Sequence, residues 1–470
     1  MRLTVIGTGY LGAVHAACMA DLGHEVLGVD ADTRKVAALQ DGRAPFFEPG
    51  LEEILVRAVR SGKLRFSTSL QEAAGFGDAH FICVGTPQLP GGSGADLSHI
   101  EAVVDGLAPY LTRDCLVIGK STVPVGTAAR LAGRIAGLAP AGAAAGLAWN
   151  PEFLREGFAV QDTLRPDRIV AGVTSDDADV LLREIYASVL ELGTPYITTD
   201  LATAELVKVA ANAFLATKIS FINAVANVCD AAGADVMTLA DALGHDTRIG
   251  RRFLSAGLGF GGGCLSKDIR AFMTRADELG VGDSLQFLRE VDQINTGRRA
   301  LAVELARELA GGSFAGRNVA VLGAAFKPDT DDVRDSPALD VARAIQAEGA
   351  AVRVHDPRAT YNARRAWPAL DYVEEAVKAC EAADVVLHLT EWREYRDIDP
   401  SELATVVRTQ CLLDGRNVLP LARWRSAGWS VRSLGGAVRL TQVPGEARGQ
   451  STAHHDRGCR GDNPVPAPGE

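Results

Sequence analysis

The 470-residue sequence predicts an α/β protein in which two doubly wound parallel-sheet domains are joined by a long central helix. Short β-branched runs alternate with helical patterns in the first part of the chain, and the same alternation returns after Asn318. Between these parts, the segment from Leu201 to Ala232 is apolar at helical spacing with hardly a break. A chain of this length also exceeds one hydrophobic core, so we expect two or three domains.

Composition is that of an ordinary globular protein, with 47% hydrophobic and 23% charged residues. The net charge of −11 argues against nucleic acid or an anionic membrane as a partner. The sequence has no uninterrupted apolar run of membrane-spanning length, and its first residues lack the pattern of a signal peptide, so we expect a cytoplasmic protein. The eight cysteines include no Cys-x-x-Cys pair, which indicates reduced thiols.

The first strand runs directly into a glycine-rich turn. Gly7, Gly9 and Gly12 have the Gly-x-Gly-x-x-Gly spacing, a helical pattern follows from Ala13 to Leu22, and a second strand closes on Asp30. This order is typical of a Rossmann-like domain, in which the turn admits pyrophosphate and an acid at the second strand end binds the ribose. Asp30 therefore favours NAD over NADP; the alternative is a related fold that has lost its ligand.

Other polar residues follow later strands of this domain. Thr86 and Thr122 come directly after predicted strands, where open parallel sheets bind their ligands, although turn and capping chemistry would also explain them. Glu152 and Glu156 follow a further strand at a separation of four residues. Helical spacing would place both carboxylates on one face, as candidates for binding or acid–base catalysis.

The long central helix carries a polar stripe. Glu205, Lys208 and Asn212 fall on one face of a helix otherwise composed of Ala, Val, Leu, Phe and Ile. A buried lysine needs a charged partner or a function, whereas a solvent-facing stripe would need neither.

The segment from Gly257 to Asp268 surrounds one thiol, Cys264, with five glycines and ends in Lys267 and Asp268. Glycine at this density lets the backbone approach a ligand closely, and an exposed thiol is a candidate nucleophile. The alternative is a flexible loop with an incidental cysteine. Arginines just before it, at 248, 251 and 252, suggest a phosphate nearby or a solvated surface helix.

The last third repeats the α/β alternation without a glycine motif. Lys327, Arg334 and Arg416 lie near predicted strand ends, where three cations suit a diphosphate. Beyond about Arg439 the Gly- and Pro-rich chain is predicted to be disordered, and we expect no metal site from His454, His455 and Cys459. The predicted domains are 1–196, 197–300 and 301–438, with a tail at 439–470.

Taken together, these motifs resemble those of the UDP-glucose/GDP-mannose dehydrogenase family. The resemblance rests on the glycine turn, on Ser-Thr-Val-Pro-Val-Gly-Thr at 121–127, Asn-Pro-Glu-Phe-Leu-Arg-Glu-Gly at 150–157, Gly-Phe-Gly-Gly-Gly-Cys-Leu-Ser-Lys-Asp at 259–268 and Phe-Lys-Pro-Asp-Thr-Asp-Asp-Val-Arg-Asp-Ser-Pro at 326–337. It implies an NAD-dependent, four-electron oxidation of UDP-glucose to UDP-glucuronate, in which Cys264 holds thiohemiacetal and thioester intermediates.

The resemblance also implies a role for each residue. The implied catalytic residues are Cys264, Lys208, Asn212, Asp268, Glu152 and Thr122. The implied NAD-binding residues are Gly7, Gly9, Tyr10, Leu11, Gly12, Asp30, Lys35, Thr86, Thr122, Glu156, Lys267 and Arg334. The implied UDP-glucose-binding residues are Glu152, Phe153, Leu154, Arg155, Lys208, Asn212, Arg248, Phe253, Phe260, Gly261, Lys327 and Arg416.

Within this scheme, Lys208 is expected to raise the thiolate fraction of Cys264 and, with Asn212, to stabilise an oxyanion at C6. Asp268 is expected to order a water or orient Lys208, and the choice of hydrolytic base between the carboxylates stays open. Arg248 resembles an arginine that reaches a neighbouring subunit's substrate, which implies a homodimer or higher homo-oligomer.

Three alternatives remain from the sequence. A GDP-mannose or UDP-N-acetylhexosamine 6-dehydrogenase would use the same mechanism. A two-electron hydroxyacid dehydrogenase would need neither Cys264 nor the second sheet. A nucleotide-binding regulatory protein would have no need of the nucleophile.

Overall fold

The computed structural model describes residues 1–436 and contains two β-sheets on either side of a group of central helices. The first sheet has the strand order β3-β2-β1-β4-β5-β6-β7-β8. Its strands are β1 (Arg2–Ile6), β2 (Glu25–Val29), β3 (Leu64–Ser67), β4 (Ala79–Ile82), β5 (Cys115–Gly119), β6 (Ala145–Trp149), β7 (Ile169–Gly172) and β8 (Tyr196–Thr199). All neighbours pair in parallel except β6 and β7, which meet antiparallel at Trp149 and Gly172.

Helices cover both faces of this sheet, and its central strands are therefore buried on both sides. They are α1 (Tyr10–Asp21), α2 (Thr33–Gln40), α3 (Leu51–Arg60), α4 (Leu70–Phe76), α5 (Ser98–Leu107), α6 (Thr127–Leu138), α7 (Ala159–Leu164), α8 (Asp176–Ile185) and α9 (Ala187–Leu190). Short 3₁₀ helices occupy Ala108–Tyr110 and Gly142–Ala144.

The central region consists of helices and one long irregular segment, residues 245–264, which leads to the start of the helix Leu265–Glu278. It comprises α10 (Leu201–Ala232), α11 (Val236–Gly244), α12 (Leu265–Glu278), a 3₁₀ turn at Gly282–Leu285 and α13 (Phe287–Leu309). Asp200 caps α10 by accepting a hydrogen bond from the Thr203 N–H, and Gly233 ends the helix with a φ of +72°. The predicted long helix from Leu201 to Ala232 is therefore confirmed.

By length and apolar composition, α10 could cross a membrane. This is weak evidence, since a buried helix of a globular protein has the same composition. In this structure α10 packs against β7, α6, α12 and α13, and it buries the polar residues Glu205, Lys208 and Asn212.

The second sheet is wholly parallel, with the order β11-β10-β9-β12-β13-β14. Its strands are β9 (Asn318–Leu322), β10 (Ala351–His355), β11 (Asp371–Tyr372), β12 (Val385–His388), β13 (Cys411–Asp414) and β14 (Ser430–Ser433). The accompanying helices are α14 (Pro337–Ala347), α15 (Thr360–Ala366), α16 (Ala376–Cys380), α17 (Arg393–Arg396), α18 (Pro400–Leu403) and α19 (Leu421–Ser426). The predicted fold of two doubly wound sheets joined by a long helix is confirmed.

Two expectations fall partly or wholly beyond the described part of the chain. The predicted disordered tail at 439–470 lies outside residues 1–436, as do His454, His455 and Cys459. Within residues 1–436, no group of three or more His, Cys, Asp or Glu side chains is arranged to hold a metal ion.

Candidate active site

The glycine turn between β1 and α1 is shaped for a dinucleotide. Gly7 has a φ of +90°, and a Cβ on Gly12 would lie 1.8 Å from the Gly7 carbonyl oxygen, so both positions require glycine. A Cβ on Gly9 would meet nothing within 4 Å, which leaves its side of the turn open to a ligand. The turn therefore fits pyrophosphate at the start of α1.

Asp30, at the end of β2, is fixed beside this turn. Its Oδ2 accepts hydrogen bonds from the Thr8 N–H at 2.9 Å and the Thr8 hydroxyl at 3.2 Å. Lys35 lies 3.9 Å from the same oxygen. The carboxylate is therefore held where a ribose hydroxyl would reach it, as the sequence predicts for NAD.

Glu48 is a buried residue that sequence reasoning missed. Its carboxylate accepts hydrogen bonds from the Tyr10 hydroxyl and from the N–H groups of Gly157 and Ala159, the last two at 2.7 Å. It thus connects the glycine turn to the Asn150–Gly157 loop, whose sequence is Asn-Pro-Glu-Phe-Leu-Arg-Glu-Gly. Tyr10, predicted to contact NAD, has its hydroxyl engaged in this network. The only sequence signal was an acid between aromatic and proline residues in Phe-Phe-Glu-Pro-Gly.

The Asn150–Gly157 loop is not helical, so the expectation that Glu152 and Glu156 share a helix face is wrong. Pro151 cannot donate to a helix, and Gly157 turns the chain with a φ of +82°. The two carboxylates diverge: Glu152 Oε1 accepts a hydrogen bond from Lys208 Nζ at 2.9 Å, whereas Glu156 faces the second sheet. Phe153 and Leu154 accompany Glu152, with the Phe153 ring 5.6 Å from the Lys208 ammonium and the Leu154 N–H bonded to Glu152.

The polar stripe on α10 is buried, which excludes the solvent-facing alternative. Lys208 and Asn212 are 5% and 7% exposed. Lys208 pairs with Glu152, and Asn212 donates to Asp268 at 2.7 Å. Glu205, one turn earlier, instead accepts the N–H groups of Gly126 and Ala128 at the start of α6. The central helix thus contacts both the first domain and the cysteine segment.

Cys264 lies at the start of α12, and its carbonyl accepts the Asp268 N–H at 2.9 Å. Asp268 is buried between Asn212 and Lys267, whose ammonium lies 2.7 Å away. Asp268 therefore does not hold Lys208 directly, contrary to one of our two expectations for it; Glu152 does. Thr122 lines the same small cavity as Lys267 and Asp268.

Thr122 and the glycines after Phe260 are also held by specific contacts. The Thr86 hydroxyl donates to the Thr122 carbonyl at 2.7 Å. Phe260 is buried and exchanges two hydrogen bonds with the Asn295 side chain, at 2.8 and 3.0 Å. A Cβ on Gly261 would lie 2.2 Å from the Asp335 carbonyl, so this segment packs directly on the loop that follows β9.

The charge environment of the thiol differs from the expectation. Cys264 is exposed at the surface of the chain. Even so, desolvation of the thiol by the surrounding protein, followed by the charges of Asp268 and Glu152, raises the pKa of the thiol to about 11. Lys208 lowers this pKa, as expected, but its effect is the smaller one. Burial lowers the pKa of Lys208, but the Glu152 carboxylate outweighs this effect and raises it overall, so Lys208 remains a cation. The thiol is therefore protonated at neutral pH in the free protein.

Glu156 joins the first domain to the loop after β9. Its carboxylate lies 3.3 Å from the Arg334 guanidinium and accepts a hydrogen bond from the Thr330 hydroxyl, also at 3.3 Å. Burial, reinforced by the nearby Asp332 carboxylate, raises the pKa of Glu156 to about 7. Lys327 is nearby, and burial lowers the pKa of its ammonium. These groups form a polar seam between the two sheets.

Arg416 is a structural link between loops. Its guanidinium donates to the carbonyls of Leu389, Gly259 and Phe326 at 2.7 to 3.1 Å. The predicted diphosphate-binding cation thus ties the cysteine segment to the loop after β9, and only 10% of its side chain is exposed.

Four of the predicted site residues have contacts outside this cluster. The Arg155 guanidinium pairs with Asp162 at 2.6 Å, and Arg248, with 86% of its side chain exposed, pairs with Asp246 at 2.6 Å. Phe253 is exposed, with a φ of +66°, and Leu11 packs against the core of the first domain.

Sequence reasoning also missed Lys120, at the end of β5. Its buried ammonium donates to Asn150 Oδ1 at 2.8 Å and to the Tyr186 hydroxyl at 3.2 Å. Burial lowers the pKa of Lys120 to about 8. A lysine at a strand end is too common to indicate this role, which becomes visible only when Asn150 is placed beside it.

Comparison with known proteins agrees with this architecture. Residues 1–190 match the NAD binding domain of the UDP-glucose/GDP-mannose dehydrogenase family, residues 202–297 its central domain and residues 320–420 its UDP binding domain. The chain is 40% identical over 437 residues to UDP-glucose 6-dehydrogenase of Rhizobium meliloti, covering 93% of this chain and 99% of that protein. It is 42% identical over 444 residues to UDP-glucose 6-dehydrogenase of Pseudomonas aeruginosa, with coverages of 93% and 97%.

Solved structures give the same result. A UDP-glucose dehydrogenase from Pyrobaculum islandicum superposes with a TM-score of 0.84 at 40% identity, covering 91% of this chain and 98% of that one. A UDP-D-ManNAc dehydrogenase from Pyrococcus horikoshii gives a TM-score of 0.81 at 28% identity, with coverages of 93% and 100%. On the three domain matches and the near full-length relatives, the chain belongs to the UDP-glucose/GDP-mannose dehydrogenase family.

Proposed function

We propose that the protein oxidises UDP-glucose at C6 to UDP-glucuronate, with NAD⁺ as the electron acceptor. One juxtaposition carries this proposal: Lys208 and Asn212 of α10 meet Glu152 from the first domain and Asp268, one turn beyond Cys264. A nucleophile, a fixed cation and two carboxylates are the groups that a four-electron alcohol oxidation through a covalent intermediate needs. The choice of UDP-glucose as the substrate is based on the relatives named above.

The first domain would hold NAD⁺ at the glycine turn, with Asp30 on the ribose and the open side of Gly9 toward the pyrophosphate. Leu11, Thr86, Lys267, Glu156 and Arg334 are proposed to complete this site. Two NAD⁺ molecules, bound one after the other, would supply the hydride acceptors for the two oxidation steps.

Lys208 and Asn212 are proposed to bind the substrate C6 oxygen. The Lys208 amine is already protonated, and Glu152 holds it in place by a hydrogen bond. Its positive charge can therefore stabilise the C6 oxygen as that oxygen becomes anionic. The Asn212 amide, oriented by Asp268, offers a second donor. Both donors are preorganised, since both side chains are buried on a rigid helix.

Cys264 is proposed to hold the sugar between the two oxidations. Its sulfur bonds C6 of the aldehyde to give a thiohemiacetal, and the second oxidation converts that adduct to a thioester. The thiol must lose its proton for this attack, and Glu152 and Asp268, whose negative charges raise the pKa of this thiol, are the proposed acceptors. Water then attacks the thioester carbon, the C–S bond breaks, and the sulfur leaves as a thiolate that regains a proton.

Glu152 is the proposed base for this hydrolysis, and Thr122 is proposed to act with it. Glu152 contacts the proposed oxyanion donor Lys208 directly, whereas Asp268 is already engaged by Asn212 and Lys267. Lys327, from the loop after β9, and Phe260 and Gly261, from the cysteine segment, are proposed to bind the UDP group. Arg416 holds these two loops together.

The domain limits at 1–196, 197–300 and 301–438, a cytoplasmic location and a homodimer remain our proposals. Supporting the dimer, α10 exposes Phe214, Phe221 and Val228 at intervals of seven residues, an apolar stripe suited to a second copy of the helix. Arg248 is exposed at the surface beside Asp246, and it is proposed to exchange this partner for the substrate of a second subunit, as the family resemblance implies.

The decisive experiment is the amount of NADH formed per UDP-glucose consumed at completion, for wild type and Cys264→Ser. We expect two NADH per sugar in wild type and no complete oxidation in the variant. One NADH with an unaffected variant would contradict the covalent mechanism. GDP-mannose and UDP-N-acetylmannosamine are tested in parallel, because the 28%-identical UDP-D-ManNAc dehydrogenase makes another nucleotide sugar the alternative substrate. Turnover of one of these two sugars without turnover of UDP-glucose would show that UDP-glucose is not the substrate.

A further inference from the structure

The loop between β5 and α6 is anchored from outside its own domain. This loop, Thr122 to Gly126, carries the proposed catalytic residue Thr122. Glu205 of α10 accepts the Gly126 N–H at 2.7 Å and the Ala128 N–H at 2.6 Å. Arg275 of α12 donates from Nε to the Val125 carbonyl at 2.9 Å. Two helices of the central region, α10 and α12, therefore bind the loop between β5 and α6 through hydrogen bonds.

The Glu205 contact is a helix cap made by a distant residue. Glu205 is 2% exposed, and both of its oxygens accept backbone N–H groups at the start of α6, where the helix dipole favours an anion. Burial raises the pKa of Glu205, while these N–H groups and Arg275 oppose that effect. A carboxylate committed in this way cannot also serve as a base, so its role is to fix position.

The two anchoring helices are those that carry the reacting groups. Glu205 lies one turn before Lys208 on α10. Arg275 lies on α12, which directly follows Cys264 and carries Asp268 in its first turn. Thr122 and Val125 line one small cavity together with Asp268 and Arg275. A shift of this loop would therefore move Thr122 relative to the proposed nucleophile and oxyanion donors.

We propose that Glu205 and Arg275 are positioning residues that hold the Thr122 loop in register with Lys208 and Cys264. This inference rests on the proposed function, because the loop matters only if Thr122 acts in that reaction. Misplacing a catalytic group by about 1 Å can cost about 100-fold in rate. The loop contacts should therefore affect turnover more than ligand binding.

The test compares Glu205→Gln, Arg275→Gln and the double variant with wild type. Gln at 205 keeps the shape but sets an amide against backbone donors. We expect kcat to fall about 10- to 100-fold in each single variant, with KM for NAD⁺ and UDP-glucose changing less than about threefold. Because both residues act through one loop, the double variant should lose much less than the product of the single losses. Arg275→Lys retains a donor for Val125 and should restore most of the rate.

Glu278→Gln is the matched control, since Glu278 pairs with Arg275 on the surface at 2.7 Å and does not touch the loop. Each kcat is expressed per NADH-binding site, titrated by fluorescence, so that partial unfolding does not imitate a catalytic loss. Wild-type kcat in the Glu205 and Arg275 variants, or equal losses with Glu278→Gln, would overturn the proposal. Failure of the proposed function would show instead as absent UDP-glucose turnover in wild type; the same variants are then compared on whichever nucleotide sugar wild type oxidises.

Discussion

Lys208 and Glu152 form a buried ion pair that connects the central helix to the first domain. Their Nζ and Oε1 atoms are 2.9 Å apart, and their side chains are only 6% and 15% exposed. Neither partner can be removed without leaving a charge in a poorly solvated place. The pair fixes the orientation of the lysine, and the proposed reaction uses that lysine to stabilise negative charge.

Replacing Lys208 with Met should therefore abolish most of the activity. We expect kcat for NADH formation to fall about 100- to 1000-fold, the loss found when one oxyanion donor is removed. Lys378→Met is the control, because Lys378 is exposed and forms a surface ion pair with Glu375. Steady-state kinetics decide the matter: a Lys208→Met enzyme within about twofold of wild type would exclude Lys208 from the chemistry.

The reactivity of Cys264 should depend steeply on pH. Its thiol pKa is raised to about 11, so the thiolate fraction, and with it the rate of alkylation by iodoacetamide, should rise about tenfold per pH unit between pH 7 and 10. Asp268 raises this pKa, so Asp268→Asn should lower it and speed alkylation at pH 8. Lys208→Met removes the cation that lowers it and should slow the reaction.

Cys264→Ser measures the background from the other thiols in the same assay. Of these, Cys18, Cys83, Cys229, Cys380 and Cys411 are buried, and Cys115 is partly buried. A rate that is already maximal at pH 7 would show that Lys208 outweighs the carboxylates after all.

The sequence predicted the fold better than the contacts within the site. Helical spacing gave the limits of α10 correctly, because a long apolar run between Asp200 and Gly233 has a capping residue at its start and a glycine at its end. The glycine turn and Asp30 were predictable for a similar reason, since both lie within one short segment of chain. Local patterns determine such features.

The partners within the site were not predictable, because they are far apart in the chain. Spacing alone suggested a helix for Glu152 and Glu156, but a proline and a left-handed glycine place them in a loop, where each finds a different partner. Likewise Glu205 belongs to the same stripe as Lys208 but caps another helix, 77 residues away at Ala128. Only tertiary packing decides which partner a buried charge meets.

Asp30 should determine cofactor affinity and preference. Its carboxylate is held by Thr8 and would bond a ribose hydroxyl, while its charge would repel a 2′-phosphate. We expect Asp30→Asn to weaken NADH binding by about 10-fold or more, the usual effect of losing a charged hydrogen bond, and to narrow the difference between NADH and NADPH. Fluorescence titration with both nucleotides measures this. Asp32→Asn, which alters the cap of α2 and the surface ion pair with Arg34, should bind NADH like wild type. Equal NADH affinities in all three proteins would show that Asp30 does not contact the cofactor.

Glu156 should make the stability of the protein depend on pH near neutrality. Its pKa is raised from an ordinary value near 4.5 to about 7, so folding favours the protonated carboxyl. The resulting stabilisation is complete below about pH 4.5 and is lost as the pH rises through 7. Glu156→Gln keeps a neutral side chain at every pH. The melting temperature of the variant, relative to wild type, should therefore rise between pH 5 and pH 8, by about 2 °C or more.

The exposed Glu191 provides the matched control for this measurement, since Glu191→Gln removes a carboxylate that no buried partner contacts in the described chain. Its melting temperature relative to wild type should stay constant over the same pH range. Arg334 works against the raised pKa of Glu156, so Arg334→Gln should raise that pKa further and move the pH-dependent loss of stability upward. A Glu156→Gln difference that stays constant from pH 5 to pH 8 would mean that Glu156 is ionised throughout, with Arg334 rather than burial controlling its charge.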